Sequence, residues 1–569
     1  MWLLLAAISR GDLLSQAGVL SPPQIVLTGE VDSARVAGVI PSPRKTLFFL
    51  NAHTRESVLV RLEDDAKMAE LNKKMKVLLV YPEFPDTYWS FKHALPFAGK
   101  RSAYPPLGLL TLSSMLPGIW EKRLVDMNVR RLRDSDLEWA DMVFASAMIV
   151  QQDSLREVIN RCKAKGRRIA VGGPFVSTGM EHVNDADFLF PGEAETTVPE
   201  FLRDLEMGVP QHVYQSDIKP DLTISPIPDF SLADMRRYSS MAIQYSRGCP
   251  FNCEFCDIIE IYGRVPRTKT NEQMLAEMDA LYRTGWRGPL FIVDDNFIGN
   301  KKNVRLLMPD LCEWMERHKQ PFRLFTEASI NLADDDQLLA MMKRANFRRV
   351  FLGIETPVEE SLKETQKGQN TKRNLIDSVR KIQSYGMEVM AGFIVGFDND
   401  PADIFQRQID FIRESAIPMA MVGLLSALPD TQLWRRLVKE GRLLSEGAGT
   451  NTEASLNFVP VMDRQTLIDG YKMIMRTIYS PAEYYERVRA SLRNTNSSGY
   501  SPARAFKKEY ILGFFRVIFR LGMFDSSRKE FWRFLRRVYS ERRDLIGDAV
   551  VLAVMGYHFR KITEQYCEQ

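Results

Sequence analysis

The sequence predicts an α/β protein: two successive parallel sheets, the first open and doubly wound, the second a partial barrel, followed by a helical extension. Three observations lead there. Between Met75 and Met207, short apolar runs alternate with helical stretches. From Met241 a second, longer alternation of the same kind begins. Beyond Asp463 the strand pattern fades into basic, aromatic, amphipathic segments. A chain of 569 residues is also too long for one ordinary core, so division into parts is expected.

Residues 1–74 precede the pattern and are expected to be a loose, disordered extension. Their opening, MWLLLAAI, is apolar but too short to span a bilayer, and it lacks the charged region that precedes the apolar core of a signal peptide. MKVLLVYP, from Met75, is the unbroken apolar run of a strand buried on both faces. Runs around Val125, Phe144 and Ala170 repeat it, and DADFLFPG adds one more, with helices such as DSLREVINRCKAKG between them. Residues 75–207 therefore read as a Rossmann-like domain, whose ligands lie at the carboxyl ends of the strands; Gly172 and Gly173 stand at such an end. Residues 208–240, rich in Pro, Asp and Ser without a period, read as a linker. Over 241–463, strand patterns at Met241 and near Ile292, Leu324, Phe351, Gly392 and Val422 alternate with helices, which suggests a partial (β/α)6 barrel with its functional residues at the strand ends. Residues 464–569 are expected to form a helical C-terminal domain. Its stretches SPARAFKKEYILGFFRVIFRLGMF and RKEFWRFLRRVYSERRDL suit either packed helices with a wet basic face or a surface lying on a membrane.

A net charge of +4 is small for this length and gives no sign of a nucleic-acid partner. Six cysteines are too few for a disulfide framework, and a reducing cytoplasm is the expected compartment. Cys162, Cys312 and Cys567 are scattered and read as ordinary thiols. Cys249, Cys253 and Cys256 instead crowd into YSRGCPFNCEFCDI, directly after the strand that opens the second series. The spacing C-x-x-x-C-x-x-C admits a disulfide pair with a spare thiol, a zinc site short of one ligand, or three corners of an iron–sulfur cluster.

C-x-x-x-C-x-aromatic-C after the first strand of a partial barrel resembles the radical S-adenosylmethionine superfamily. The resemblance implies that Cys249, Cys253 and Cys256 hold a 4Fe–4S cluster whose fourth iron is left open for S-adenosylmethionine, and that they are the metal-binding and catalytic centre. It also places Phe255 at the aromatic position whose backbone contacts adenine. Asp294 and Asp295 in FIVDDNF lie where the family binds the amino group of S-adenosylmethionine, although the usual Gly-Gly-Glu wording is absent; capping of the next helix is the alternative. Glu355 in LGIET matches a position that hydrogen-bonds ribose, where a carboxylate accepts from both hydroxyls. Gly392 and Gly396 in AGFIVGFD resemble a segment that lets backbone approach the cofactor; each could also mark a tight turn.

The first domain is similar to the cobalamin-binding domain of one large class within this family, through PPLGLLTLSSML, VGGP with Gly172 and Gly173, and PGEAET. No D-x-H-x-x-G occurs, so a histidine below cobalt is not expected. The helical tail resembles that of a subgroup including hopanoid-methylating enzymes. What the resemblance implies is a cobalamin-dependent methyltransferase acting on an unactivated carbon, served by an electron-donor protein. A lipid-like small-molecule substrate and peripheral membrane contact are expected from the tail. Cobalamin-dependent radical cyclisation or oxidation, and a non-catalytic corrinoid or iron–sulfur sensor or carrier, are the other compatible functions.

Overall fold

In the computed structural model of the chain, residues 46–50, 57–61, 74–445, 456–496 and 508–567 are described, with the backbone alone for 46–50, 57–61, 508–510 and 567. Strands β1 (Thr46–Leu50) and β2 (Ser57–Arg61) pair antiparallel, Thr46 opposite Arg61. The remainder of the expected loose extension up to residue 73, MWLLLAAI included, lies outside the described residues.

β3 (Lys76–Tyr81), β4 (Glu121–Asp126), β5 (Met142–Ser146), β6 (Arg168–Gly172) and β7 (Phe188–Phe190) form a five-stranded sheet, all parallel, in the order β4-β3-β5-β6-β7. Val77, Leu78, Leu79 and Val80 are fully buried, as the unbroken apolar run requires of a strand covered by helices on both faces. The order is that of a doubly wound sheet, whose direction of winding reverses between β3 and β5. Residues from 208 to 240 then cross the surface in three 3-10 turns, Leu222–Ile224, Phe230–Leu232 and Met235–Arg237. Asp221, Asp229 and Asp234 each cap one by accepting a backbone N–H two residues on, which explains the Asp-rich composition of this stretch.

β8 (Met241–Ile243), β11 (Pro289–Ile292), β12 (Arg323–Ala328), β13 (Phe347–Glu355), β14 (Glu388–Val395) and β15 (Met419–Leu424) pair in parallel, each beside its predecessor, as an open barrel with β8 and β15 at its edges. Between β8 and β11, β9 (Ser246–Arg247) and β10 (Arg267–Thr268) pair antiparallel as a short ribbon. Along β13 and β14, side chains alternate with period two. Val350, Leu352, Val389 and Ala391 are fully buried in the core beneath the helices, whereas Arg349, Phe351, Glu388 and Met390 are part-exposed on the inner face.

The helices Arg464–Ile478, Pro481–Asn494, Lys508–Val517, Arg528–Glu541 and Ile546–Cys567 follow. They share one continuous apolar core with the barrel. Gly470 lets the first of them lie on the barrel helix Ile404–Glu414, because a Cβ there would meet the Phe405 ring at 2.3 Å. The Tyr479 hydroxyl donates to Ala420 O at 2.6 Å, tying the same helix to β15. Among the described residues no helix is long and apolar enough to cross a membrane.

Candidate functional site

The three clustered cysteines occupy one loop, and protein contacts hold that loop from both sides. Asp294, just past β11, accepts from Tyr245 N at 2.7 Å, Ser246 N at 2.9 Å and the Ser246 hydroxyl at 2.7 Å. Asp295 accepts from Gly248 N at 3.0 Å. Gly248 has φ +95°, and a Cβ there would stand 2.8 Å from Gly263 O, so glycine alone fits the strand exit. Cys249 N donates to the same carbonyl at 3.3 Å, and Cys256 N to Cys253 O at 3.2 Å. Two amides reach the sulfurs: Asn296 Nδ2 lies 3.7 Å from Cys249 Sγ and Gln369 Nε2 3.7 Å from Cys253 Sγ. The residues VDDNF after β11 thus act as a clamp on the loop, with Asp294 and Asp295 on its backbone and Asn296 on a sulfur.

Burial raises the Cys249 and Cys256 thiols, the latter well above the ordinary range. Cationic neighbours are needed to bring such thiols to the thiolate form. Lys367 is one. Its burial disfavours charge, yet Glu355 and then Cys253 beside it win, and its ammonium is held above the usual lysine range. Its Nζ lies 2.6 Å from Glu355 Oε1 and 5.8 Å from the centre of the Phe255 ring. Among the described residues no three His, Cys, Asp or Glu side chains are arranged around a single ion. Thiolates on a cube of irons each take a different corner, and that donor set with cationic support suits the three sulfurs.

At the other strand ends, β13 carries an irregularity between Gly353 and Glu355, and Glu355 itself has φ +65°. That kink aims its carboxylate across the inner face: a Cβ on Gly353 would stand 2.4 Å from Glu355 Oε1, and one on Gly392 4.0 Å from Glu355 Oε2. Phe255, Glu355, Gly392 and the cysteines are therefore brought together. Gly396 is different. With φ +108° it donates to Asp400 at 2.8 Å and faces Leu467 of the helical tail, at a turn just past β14. Asp295 rises to about 7 and Glu327, on β12, to about 8, in both cases first through burial and then through neighbouring carboxylates. Below these ends the inner face is aromatic. Phe291 and Phe325 stack at 4.6 Å, Tyr104 lies 5.2 Å from Phe291, and Trp89 lies 5.1 Å from Phe351. Arg349 and Glu388 pair on the same face at 3.3 Å.

In the first sheet, Gly172 and Gly173 end β6 beside the end of β5. Gly173 has φ +96°, and a Cβ there would meet Ser146 Oγ at 2.5 Å. Where the winding reverses, Gln151 Nε2 donates to Pro82 O at 2.6 Å and Glu83 N to Ser154 Oγ at 2.9 Å, fixing the loops after β3 and β5. Met148, exposed, and the half-buried Ile149 and Val150 form an apolar lip there. PGEAET does something else: Glu195 and Glu193 grip the ribbon. Arg247 donates to Glu195 at 2.8 and 3.0 Å and to Glu193 at 2.8 Å, while Arg267 donates to Glu193 at 2.7 Å. Burial opposes ionisation of Glu195, but Arg247 prevails and holds it down at about 2.

Sequence reasoning did not single out Lys367, Glu327, Asn296, Gln369 or the Glu193–Glu195–Arg247 cluster. PGEAET and the Arg of YSRGC are written 52 residues apart, so only folding brings this cluster together. Cys162 and Cys312 are buried free thiols away from this loop, pushed up by burial to about 12 and about 11; the Cys567 side chain lies outside the described residues.

Comparison with known proteins defines the class. Residues 243–412 match the Radical SAM superfamily, and residues 431–569 match a domain of unknown function (DUF4070). The fold and the cysteine loop are those of a radical S-adenosylmethionine enzyme, which works with a 4Fe–4S cluster and S-adenosylmethionine. An uncharacterized methyltransferase of Synechocystis sp. is 42% identical over 86% of this chain and 92% of its own length. The hopanoid C-2 methylase of Rhodopseudomonas palustris is 34% identical over 85% of this chain and 92% of its own. Among solved structures, the cobalamin-dependent S-adenosylmethionine radical enzyme OxsB with aqua-cobalamin bound matches at a TM-score of 0.57 and 16% identity, over 99% of this chain and 92% of that one. The methyltransferase TsrM of Kitasatospora setae matches at 0.55 and 15%, over 84% and 99%. At such identities the likeness to OxsB and TsrM is one of fold. The chain belongs to the radical S-adenosylmethionine methylases, in the group that includes the hopanoid C-2 methylase.

Proposed function

We propose that this enzyme is a cobalamin-dependent radical S-adenosylmethionine methyltransferase that methylates an unactivated carbon of a lipid-like substrate in the cytoplasm, fed by an electron-donor protein. The observation that carries the reading is the clamped three-cysteine loop opening onto the aromatic inner face of the barrel. When bound, the cluster with S-adenosylmethionine supplies one-electron cleavage and hydrogen abstraction, and cobalamin supplies the methyl group.

The chain's residues hold and orient these groups. Cys249, Cys253 and Cys256 ligate iron, with Asn296 and Gln369 donating to two of the sulfurs. Asp294 has both carboxylate oxygens engaged by Tyr245 and Ser246, whereas Asp295 gives only Oδ2 to Gly248 N, so Asp295 would be the carboxylate that takes the amino group of S-adenosylmethionine. Glu355 accepts from the ribose hydroxyls while Lys367 fixes its rotamer. Phe255 and Gly392 flank the adenosine. Gly172, Gly173 and the Met148 lip, at the carboxyl edge of the first sheet, would hold cobalamin, as a doubly wound sheet favours. The domain boundaries at 75–207, 208–240, 241–463 and 464–569 divide the chain by these roles. Trp89, Tyr104, Phe291, Phe325 and Phe351 support an apolar substrate, in line with the name of the 34% identical hopanoid methylase.

The test is anaerobic reconstitution with iron, sulfide, cobalamin, S-adenosylmethionine carrying a labelled methyl group, a reductant and a cell lipid extract. Label in a lipid product together with released 5′-deoxyadenosine is expected. Deoxyadenosine with an unlabelled product would point to cyclisation or oxidation instead, and neither product would point to a sensor or carrier. Cys253→Ala is expected to abolish both the cluster absorbance and deoxyadenosine release; retained cleavage overturns the assignment.

A further inference from the structure

The helix Lys508–Val517 runs directly into a π-helical turn, Ile518–Phe524. Along this stretch Leu512, Phe514, Phe515, Phe519, Met523 and Phe524 are 47–67% exposed. Large aromatic side chains grouped in this way on a surface mark an interaction face. The turn is locked to its neighbours: Val517 and Leu521 are buried, and the Trp532 indole donates to Gly522 O at 2.9 Å. The next helix, Arg528–Glu541, buries Phe531, Phe534, Leu535 and Val538 and turns Arg528, Lys529, Arg533 and Arg536 outward. Trp532, 42% exposed, belongs to the helix of these bases and reaches the apolar turn through that hydrogen bond.

From tip to shoulder the order is therefore apolar, then indole, then guanidinium and ammonium. The same order of environments is met on going outward from the acyl chains of a bilayer, through the interface, to the phosphates. We infer that this face docks on an anionic lipid bilayer, with residues 512–524 entering the interface and the bases of 528–536 meeting the headgroups. A second copy of the chain is the rival occupant. A self-complementary contact would set each basic shoulder close to its copy, which argues against it.

The face adjoins the site. Arg516 Nη1 donates to Phe97 O at 3.2 Å, and Gly513 packs on the same carbonyl. Phe97 belongs to the segment between β3 and the helix Leu107–Met115, which also carries Trp89 and Tyr104 to the inner face of the barrel. Resting on the lipid-like substrate proposed above, the segment from Trp89 to Tyr104 is the route from the bilayer to the reacting carbon.

The full chain, reconstituted anaerobically, would be co-sedimented with phosphatidylcholine vesicles with and without phosphatidylglycerol. Binding is expected to be about tenfold or more tighter with phosphatidylglycerol and to weaken with salt. Phe514→Ser combined with Phe515→Ser and Phe519→Ser should lower binding to both kinds of vesicle by about tenfold or more. Arg533→Glu combined with Arg536→Glu should abolish the preference for phosphatidylglycerol. Both variants should keep the wild-type melting curve and deoxyadenosine release in the absence of vesicles. Failure of the wild type to sediment with anionic vesicles, or undiminished binding by the phenylalanine variant, overturns the inference. So does a lipid-free dimer that the phenylalanine variant dissociates. If vesicles bind but no lipid takes up label, the docking face stands and the substrate reading falls, since sedimentation needs no turnover.

Discussion

Glu327 lies at the end of β12 near Asp294 and Asp295, and burial with these neighbours raises its carboxyl to about 8. A carboxyl whose pKa is higher in the folded chain than in the unfolded one binds more protons when folded. Stability from this group is therefore present at low pH and is lost as pH rises from the ordinary glutamate value towards 8. Glu327→Gln removes the ionisation while keeping the shape. Its melting temperature should gain on that of the wild-type apoprotein steadily between about pH 5 and pH 8, and a gap independent of pH would refute this placement of the charge. Gly173→Ala acts through space and backbone, because φ +96° and Ser146 Oγ at 2.5 Å leave no room for a methyl group. A loss of roughly 2–4 kcal/mol in denaturant unfolding is expected. At this scale legibility was uneven. The cysteines could be read because a loop puts them eight residues end to end, whereas Glu327, on β12, and Lys367, in the connection after β13, join the site only through folding, from more than seventy residues away.

Among the elements, the ribbon of β9 and β10 transmits the position of the first sheet to the cysteine loop. Arg247 lies on one strand and Arg267 on the other, and both hold Glu193, which precedes the helix Ala194–Glu206 of the first sheet. Breaking a buried ion pair by removing one partner leaves the other charge stranded. Arg247→Met should therefore cost about 3–5 kcal/mol of unfolding free energy, with Arg247→Lys recovering only part because it cannot bind Glu195 through two nitrogens. An unchanged unfolding midpoint for Arg247→Met would show that the cluster does not tie the parts together. The strands themselves were legible from unbroken apolar runs, since a parallel sheet covered on both faces leaves few polar positions. The kink at Glu355 was not legible, because a bulge depends on the register of the neighbouring strand rather than on local composition.

For the whole molecule, the parts follow one another along the chain as a doubly wound sheet, a barrel that carries the clamp past its second strand, and a run of helices. The sequence pattern separates the two sheets because their strand runs recur at different places along the chain. It could not show that the segment from Trp89 to Tyr104 leaves the first sheet to line the second, because aromatic residues in a long loop look the same whether they cover their own domain or another.

The clamp from Asp294 to Asn296 is made wholly of protein groups, and that has a bearing on survival in air. Oxygen attacks iron and thiolates, whereas the carboxylates and amide of the clamp are not redox-active. Recovery from oxidative damage should then need iron, sulfide and a reductant that returns the thiols, with no new synthesis of the polypeptide.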